Sequence, residues 1–82
     1  MIFSLRGDNM DDIKIKFGKQ LKIERNKLGL SQETFASKCS LDRTYIASIE
    51  SGKRNISIVN IEKICNALNY SLSEYFKLME VQ

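Results

Sequence analysis

The stretch SQETFASKCSLDRTYIASIESG, residues 31–52, decides how this chain folds. Ser31 suits an N-cap, because its hydroxyl accepts a hydrogen bond from a first-turn N–H that has no partner within the helix. Phe35, Ala36 and Cys39 follow at helical spacing on one apolar side. The pattern breaks at Ser40 and Leu41, and Asp42 offers a second N-cap. A second helix then carries Ile46 and Ile49 on its inner side until Gly52 stops it. On a wheel of about 100° per residue, Arg43, Thr44, Ala47, Ser48 and Ser51 fill the arc opposite those isoleucines. One long cation among four small residues makes a surface that can approach another body closely. Two short helices about a tight turn, the second exposing such an arc, form the recognition arrangement for a DNA major groove.

Outward from this core, the upstream residues read as a longer helix. Asp11 and Asp12 suit its start, by capping and by favourable charge at the positive end of the dipole. Ile13, Phe17, Leu21 and Leu28 share one face, and Gly29 closes the helix. Ile15 and Ile23 lie off that face, on a partly exposed flank. Glu24 falls near the middle of the apolar arc. A buried unpaired carboxylate is costly, so Glu24 is expected to reach solvent or pair with a cation. Residues 1–10 lack a helical pattern and read as a flexible N-terminal extension, with Met10 an alternative start. The run MIFSL is too short, and lacks the basic leader, for a secretory signal.

Downstream, Lys53-Arg54-Asn55 form a polar basic loop. Ser57 caps a fourth helix with a core-facing stripe of Ile58, Ile61, Ile64, Cys65 and Leu68. Asn69-Tyr70 is a break, and Ser71 with Glu74 has capping-box spacing. A short fifth helix carries Leu72, Tyr75, Phe76 and Met79. The expectation is an all-α fold: one five-helix domain over residues 11–79.

Composition narrows the function. At 82 residues there is one domain, and a chain of this size buries only about 60–65% of its unfolded surface. No apolar run approaches the roughly 20 residues that cross a bilayer, so no membrane contact and a cytoplasmic location are expected. Histidine is absent from the sequence, as is a Gly-rich phosphate loop, which leaves no nucleophile–base arrangement of the usual kind and no expectation of an enzyme. The cysteines Cys39 and Cys65 both fall at apolar helical positions and read as buried free thiols. Two thiols without histidine are too few for a closed zinc site, and no cofactor is expected. Charge is uneven. From Lys14 to Arg54 ten basic residues face four acidic ones, a net +6, while the remainder carries −3. A basic portion joined to an acidic one suits a polyanion met from one side.

The segments SQETFA and LDRTYIASIESGKRNIS resemble the helix-turn-helix of the lambda-repressor-like (Xre) family, and within it the controller proteins of restriction–modification systems. The resemblance covers residues 17–76. It implies a compact five-helix DNA-binding domain acting as a transcriptional regulator. Controllers work as symmetric dimers on operator DNA in promoters, activating at low occupancy and repressing at high occupancy, and activation requires RNA polymerase as a further partner. The resemblance also implies an ion pair between Arg25 and Glu50 that ties the first helix to the third. Two positions depart from the family: it usually has Gly where this chain has Ser40, and more often an apolar residue where this chain has Glu24. A non-Gly residue held left-handed at Ser40 costs roughly 1 kcal/mol.

Roles on DNA follow from placement. Arg43, Thr44 and Ser48 are assigned to base contacts, Arg43 to guanine O6 and N7 and Thr44 to a thymine methyl or an acceptor. Gln32 opens the second helix, where the dipole favours a phosphate. With Tyr45, Lys53, Arg54 and Asn55 it is assigned to the DNA backbone. A short terminal helix needs only one or two large apolar residues to dock on its own domain. Leu72, Tyr75, Phe76 and Met79, joined by Tyr70, are therefore assigned to a homodimer interface. Their rival reading is completion of a monomer core. The rival functions are a plain repressor and an antitoxin-like module that grips a partner protein.

Overall fold

In the computed structural model, which describes residues 12–82, five helices follow one another: α1 (Asp12–Lys27), α2 (Gln32–Cys39), α3 (Arg43–Glu50), α4 (Ile58–Ala67) and α5 (Leu72–Glu80). Residues 1–10, Asp11 and the Asp12 carboxylate lie outside the described residues. Three helices start as their serines dictate. Ser31 accepts from Thr34 N–H at 3.0 Å and Ser57 from Asn60 N–H at 3.2 Å. At α5 the capping box is complete, with Ser71 accepting from Glu74 N–H at 3.1 Å and donating its own N–H to Glu74 Oε1 at 2.7 Å. Asp42 occupies the N-cap of α3 in extended conformation, but its carboxylate makes no capping bond.

The first four helices end alike. Gly29, Ser40, Gly52 and Asn69 are all left-handed, with φ of 71°, 58°, 78° and 65°. The N–H of the next residue reaches back five positions in each case: Leu30 to Arg25, Leu41 to Ala36, Lys53 to Ser48 and Tyr70 to Cys65. Ser40 therefore adopts the left-handed conformation without glycine's freedom, and the turn between α2 and α3 carries that strain.

The core is Phe17, Leu21, Phe35, Ala36, Cys39, Ile46, Ile49, Ile64, Cys65, Leu68, Tyr75 and Met79. α1 packs on α3 and α5, α2 packs on α3 and α4, and α4 packs on α5. Gly18, buried within α1, is what lets α3 come so close: a Cβ there would overlap the Ile49 carbonyl oxygen and lie 3.1 Å from Ile49 C.

Several positions differ from the sequence pattern. Leu28 is exposed because α1 ends at Lys27 and the helical phase stops before it. Ile13 and Ile58, in the first turns of α1 and α4, are exposed as well, at 58% and 74%. Ile15 and Ile23, by contrast, lie on the exposed flank as their phase predicts. Glu24 does not reach solvent, and its cation pair, with Lys27, is only part of what satisfies it. It is buried, taking bonds from Gln20 Nε2 at 2.8 Å and Tyr70 O–H at 2.8 Å, with the exposed Lys27 ammonium at a looser 3.4 Å. Two neutral donors thus do most to satisfy a carboxylate buried on the apolar side of α1.

The burial of α5 also differs from the interface assignment. Tyr75 is fully buried, its ring 4.8 Å from that of Phe17 and its O–H donating to the Phe17 carbonyl at 2.9 Å. Met79 is buried with it, and Leu72 and Tyr70 pack half-buried against the same core. Tyr75 and Met79 finish the protomer and have almost no surface to give a second copy. Phe76 alone of that group is exposed, at 37%. The wheel found the apolar face of α5 but could not say how much of it this domain covers.

Candidate nucleic-acid interface

α3 presents the arc its sequence describes. Ile46 and Ile49 are buried, Arg43, Thr44 and Ser51 are exposed, and Ala47 and Ser48 lie between. Two hydrogen-bonded groups organise the assigned residues around this surface.

The first group runs from the core outward. Arg25 grips Glu50 with two bonds, Nε to Oε2 at 2.7 Å and Nη2 to Oε1 at 3.0 Å, and its third group, Nη1, donates to the Leu30 carbonyl at 2.7 Å. Both side chains are nearly inaccessible. The hydrogen bonds to Glu50 raise the Arg25 pKa further, against the opposing effect of burial. Gln32 joins the pair by donating Nε2 to Glu50 Oε1 at 3.0 Å, and its Oε1 accepts from Arg43 Nη1 at 3.3 Å. Leu30 and the link from Gln32 to Arg43 were beyond sequence reasoning, because they depend on how α2 crosses α3.

The second group joins α3 to the loop that follows it and to α4. The Arg54 guanidinium rests 4.7 Å from the centre of the Tyr45 ring, and Arg54 Nε donates to Ser48 Oγ at 2.9 Å. Ser48 O–H in turn donates to the Tyr45 carbonyl at 2.7 Å, and Tyr45 Oη accepts from Asn60 Nδ2 at 3.0 Å. Asn60, on α4, is a member that sequence reasoning missed, since nothing in its local pattern signals it. Ser48, assigned to bases, is engaged within the protein, whereas Lys53 and Asn55 are exposed.

Other chemistry is sparse among the described residues. No cluster of three or more potential metal-ligating side chains occurs among them, and no helix there is long and apolar enough to cross a membrane. Cys39 and Cys65 are buried free thiols, and burial pushes both up to about 11. At Cys39 this prevails over the opposing pull of Lys38 and Lys63. Such thiols stay protonated and are poor nucleophiles.

A capped helix, a tight left-handed turn and a second helix with a cationic outer arc define a class, and the chain belongs to the helix-turn-helix family, whose profile matches residues 21–75. Among relatives of this lambda-repressor-like type, the control protein C.MunI of Mycoplasma sp is 56% identical over 72 residues, 87% of this chain and 97% of that protein. The control protein C.BamHI of Bacillus amyloliquefaciens is 48% identical, over 71% of this chain and 73% of its own length. The crystal structure of the restriction–modification controller C.AhdI from Aeromonas hydrophila superposes with a TM-score of 0.75 at 45% identity, covering 79% of this chain and 98% of the controller. Another controller, C.Esp1396I, has been crystallised as a tetramer with its natural 35-base-pair operator; it matches with a TM-score of 0.75 at 36% identity, over 80% of this chain and 87% of that one.

Proposed function

We propose that this protein is a controller of a restriction–modification system: a transcriptional regulator that binds a promoter operator as a homodimer in the cytoplasm, activating or repressing with occupancy. The observation that carries the reading is the outer arc of α3, where Arg43 and Thr44 stand clear of a core that fixes the helix beneath them. The likeness to controller proteins supports it, as does the operator complex of C.Esp1396I.

In this reading Arg43 and Thr44 meet base edges, and Ser48 joins them by exchanging its bonds to the Tyr45 carbonyl and Arg54. Gln32 at the start of α2, with Tyr45, Lys53, Arg54 and Asn55, meets the DNA backbone. Two copies present two α3 helices to successive major-groove turns about 34 Å apart. The dimer contact is moved from the buried Tyr75 and Met79 to the apolar groove where Ile13, Ile56, Ile61 and Phe76 meet. Arg54 and Asn55 border that groove, so the pairing surface runs on into the DNA-facing loop. Activation involves a contact with RNA polymerase.

Binding titrations on single-base operator variants test the reading. Arg43→Ala should cost about 1–3 kcal/mol on the cognate operator and flatten discrimination at one base pair. Arg54→Ala should weaken all sequences alike and reduce the dependence on salt. If Arg43→Ala weakens every sequence equally, base recognition does not reside in Arg43.

A further inference from the structure

We propose that Glu50 is a positioning residue for base recognition: acting through the Gln32 amide, it fixes where the Arg43 guanidinium stands before DNA arrives. This rests on the reading above that Arg43 meets a base edge. The ion pair with Arg25 gives Glu50 a structural role, and the geometry adds a second one.

Donor and acceptor polarity sets the direction of every bond in this chain of contacts. An ionised carboxylate only accepts, a guanidinium only donates, and an amide has one end of each kind. Arg25 holds the Glu50 carboxylate through two bonds and is itself fixed on the Leu30 carbonyl. Glu50 Oε1 then takes the N–H end of Gln32, which turns the amide carbonyl outward to Arg43 Nη1. A flipped amide would set its N–H against the Arg43 N–H and its carbonyl against the carboxylate, both repulsive. The amide orientation is therefore dictated by Glu50 at one end and Arg43 at the other.

Position on the helix makes the relay possible. Arg43 and Glu50 are the first and last residues of α3, seven apart, and so share a face two turns long. Gln32, opening α2, lies across that face and reaches both. A guanidinium carries five N–H groups. With one given to Gln32, Arg43 keeps enough for the paired contact to guanine O6 and N7, and the relay need not break on binding. A long exposed side chain otherwise loses rotamer freedom when it docks. Holding Arg43 in advance reduces that loss.

The test compares affinity for the operator with affinity for the single-base variant at the pair that Arg43→Ala identifies. The ratio cancels any uniform phosphate contact by Gln32. Gln32→Met should lower it about threefold to tenfold, the size of one hydrogen bond. Glu50→Gln, confirmed folded by circular dichroism, should lower it similarly. Neither Gln32→Met nor Glu50→Gln should lower it further in an Arg43→Ala background. The salt slope should not move in Gln32→Met, since no charge is lost. Gln32 is only half-buried, so Gln32→Met decides the matter even if Glu50→Gln fails to fold. A Gln32→Met protein that weakens on all sequences with its ratio intact would overturn the relay while leaving Arg43 as the base reader. Arg43→Ala with undiminished discrimination at every pair would overturn the reading of Arg43, and the relay with it.

Discussion

Replacing Gly18 with alanine sets two effects of opposite sign against each other. In an exposed helix interior, Gly→Ala stabilises by roughly 1 kcal/mol, because glycine has more backbone freedom to lose on folding. Gly18 is not exposed. Its added Cβ would overlap the Ile49 carbonyl oxygen and stand 3.1 Å from Ile49 C and 3.2 Å from Glu50 C. These are backbone atoms of α3, so no side chain can rotate away. Relief requires α1 and α3 to separate by roughly 1.2–1.5 Å to reach an ordinary C···O contact. That movement loosens Phe17 and Leu21 against Ile46 and Ile49, all buried. Overpacking of this kind costs about 1–3 kcal/mol, and rigid neighbours place it at the upper end. The net expectation is a loss of about 2 kcal/mol, or roughly 8–16 °C in Tm for a domain of this size. Urea and thermal denaturation, followed by circular dichroism, measure it, with Lys19→Ala on the exposed side of α1 as the control. A Gly18→Ala protein as stable as its parent would refute the close approach of α1 to α3.

Other expectations follow from single features. Ser40→Gly should stabilise the domain by about 0.5–1 kcal/mol in urea denaturation, since Ser40 has φ of 58°; a loss of stability would mean the serine side chain outweighs its backbone strain. Phe76→Ala should shift the dimer toward monomer in sedimentation while circular dichroism stays native. Tyr75→Ala should instead unfold or strongly destabilise the chain, by about 3–5 kcal/mol as for other buried aromatics, and a folded Tyr75→Ala monomer would contradict its place in the core. Burial raises both thiols from 9.0 to about 11, so the folded state keeps protons that the unfolded chain releases. That stability is fully present below pH 9 and is lost as pH rises through about 11. The Cys39→Ala, Cys65→Ala double variant should lose less over the same window, and parallel pH profiles would contradict the assignment.

Local rules carried the fold far. The caps at Ser31, Ser57 and Ser71, the stops at Gly29 and Gly52 and the phases of Phe35, Ile46, Ile64 and Tyr75 are properties of a few neighbouring residues, so they are legible in the chain. Periodicity tells which side of a helix is apolar, but not whether anything covers it. This is why Ile13 and Ile58 read as core and stand exposed, and why Tyr75 and Met79 read as spare and lie buried. Glu24 shows a second limit, because its satisfaction comes from Tyr70, 46 positions away. At the interface, the outer arc of α3 was legible from the wheel. The engagement of Ser48 by Arg54 and of Gln32 by Glu50 was not, since each depends on side chains meeting after the helices pack.

The anchoring of α3 has a consequence for how such a protein changes over generations. The helix is held from behind, by its backbone against Gly18, by Ile46 and Ile49, and by the grip of Arg25 on Glu50. Among the described residues, exposed Thr44 on its front takes no part in that hold, and the Arg43 side chain touches the rest through one exposed bond at 3.3 Å. Scaffold and vocabulary are thus separate parts of one short helix. On the proposed reading, new operator preferences can be tried at 43 and 44 with little effect on folding, and a lineage can drift to another DNA sequence without first acquiring a stabilising change elsewhere.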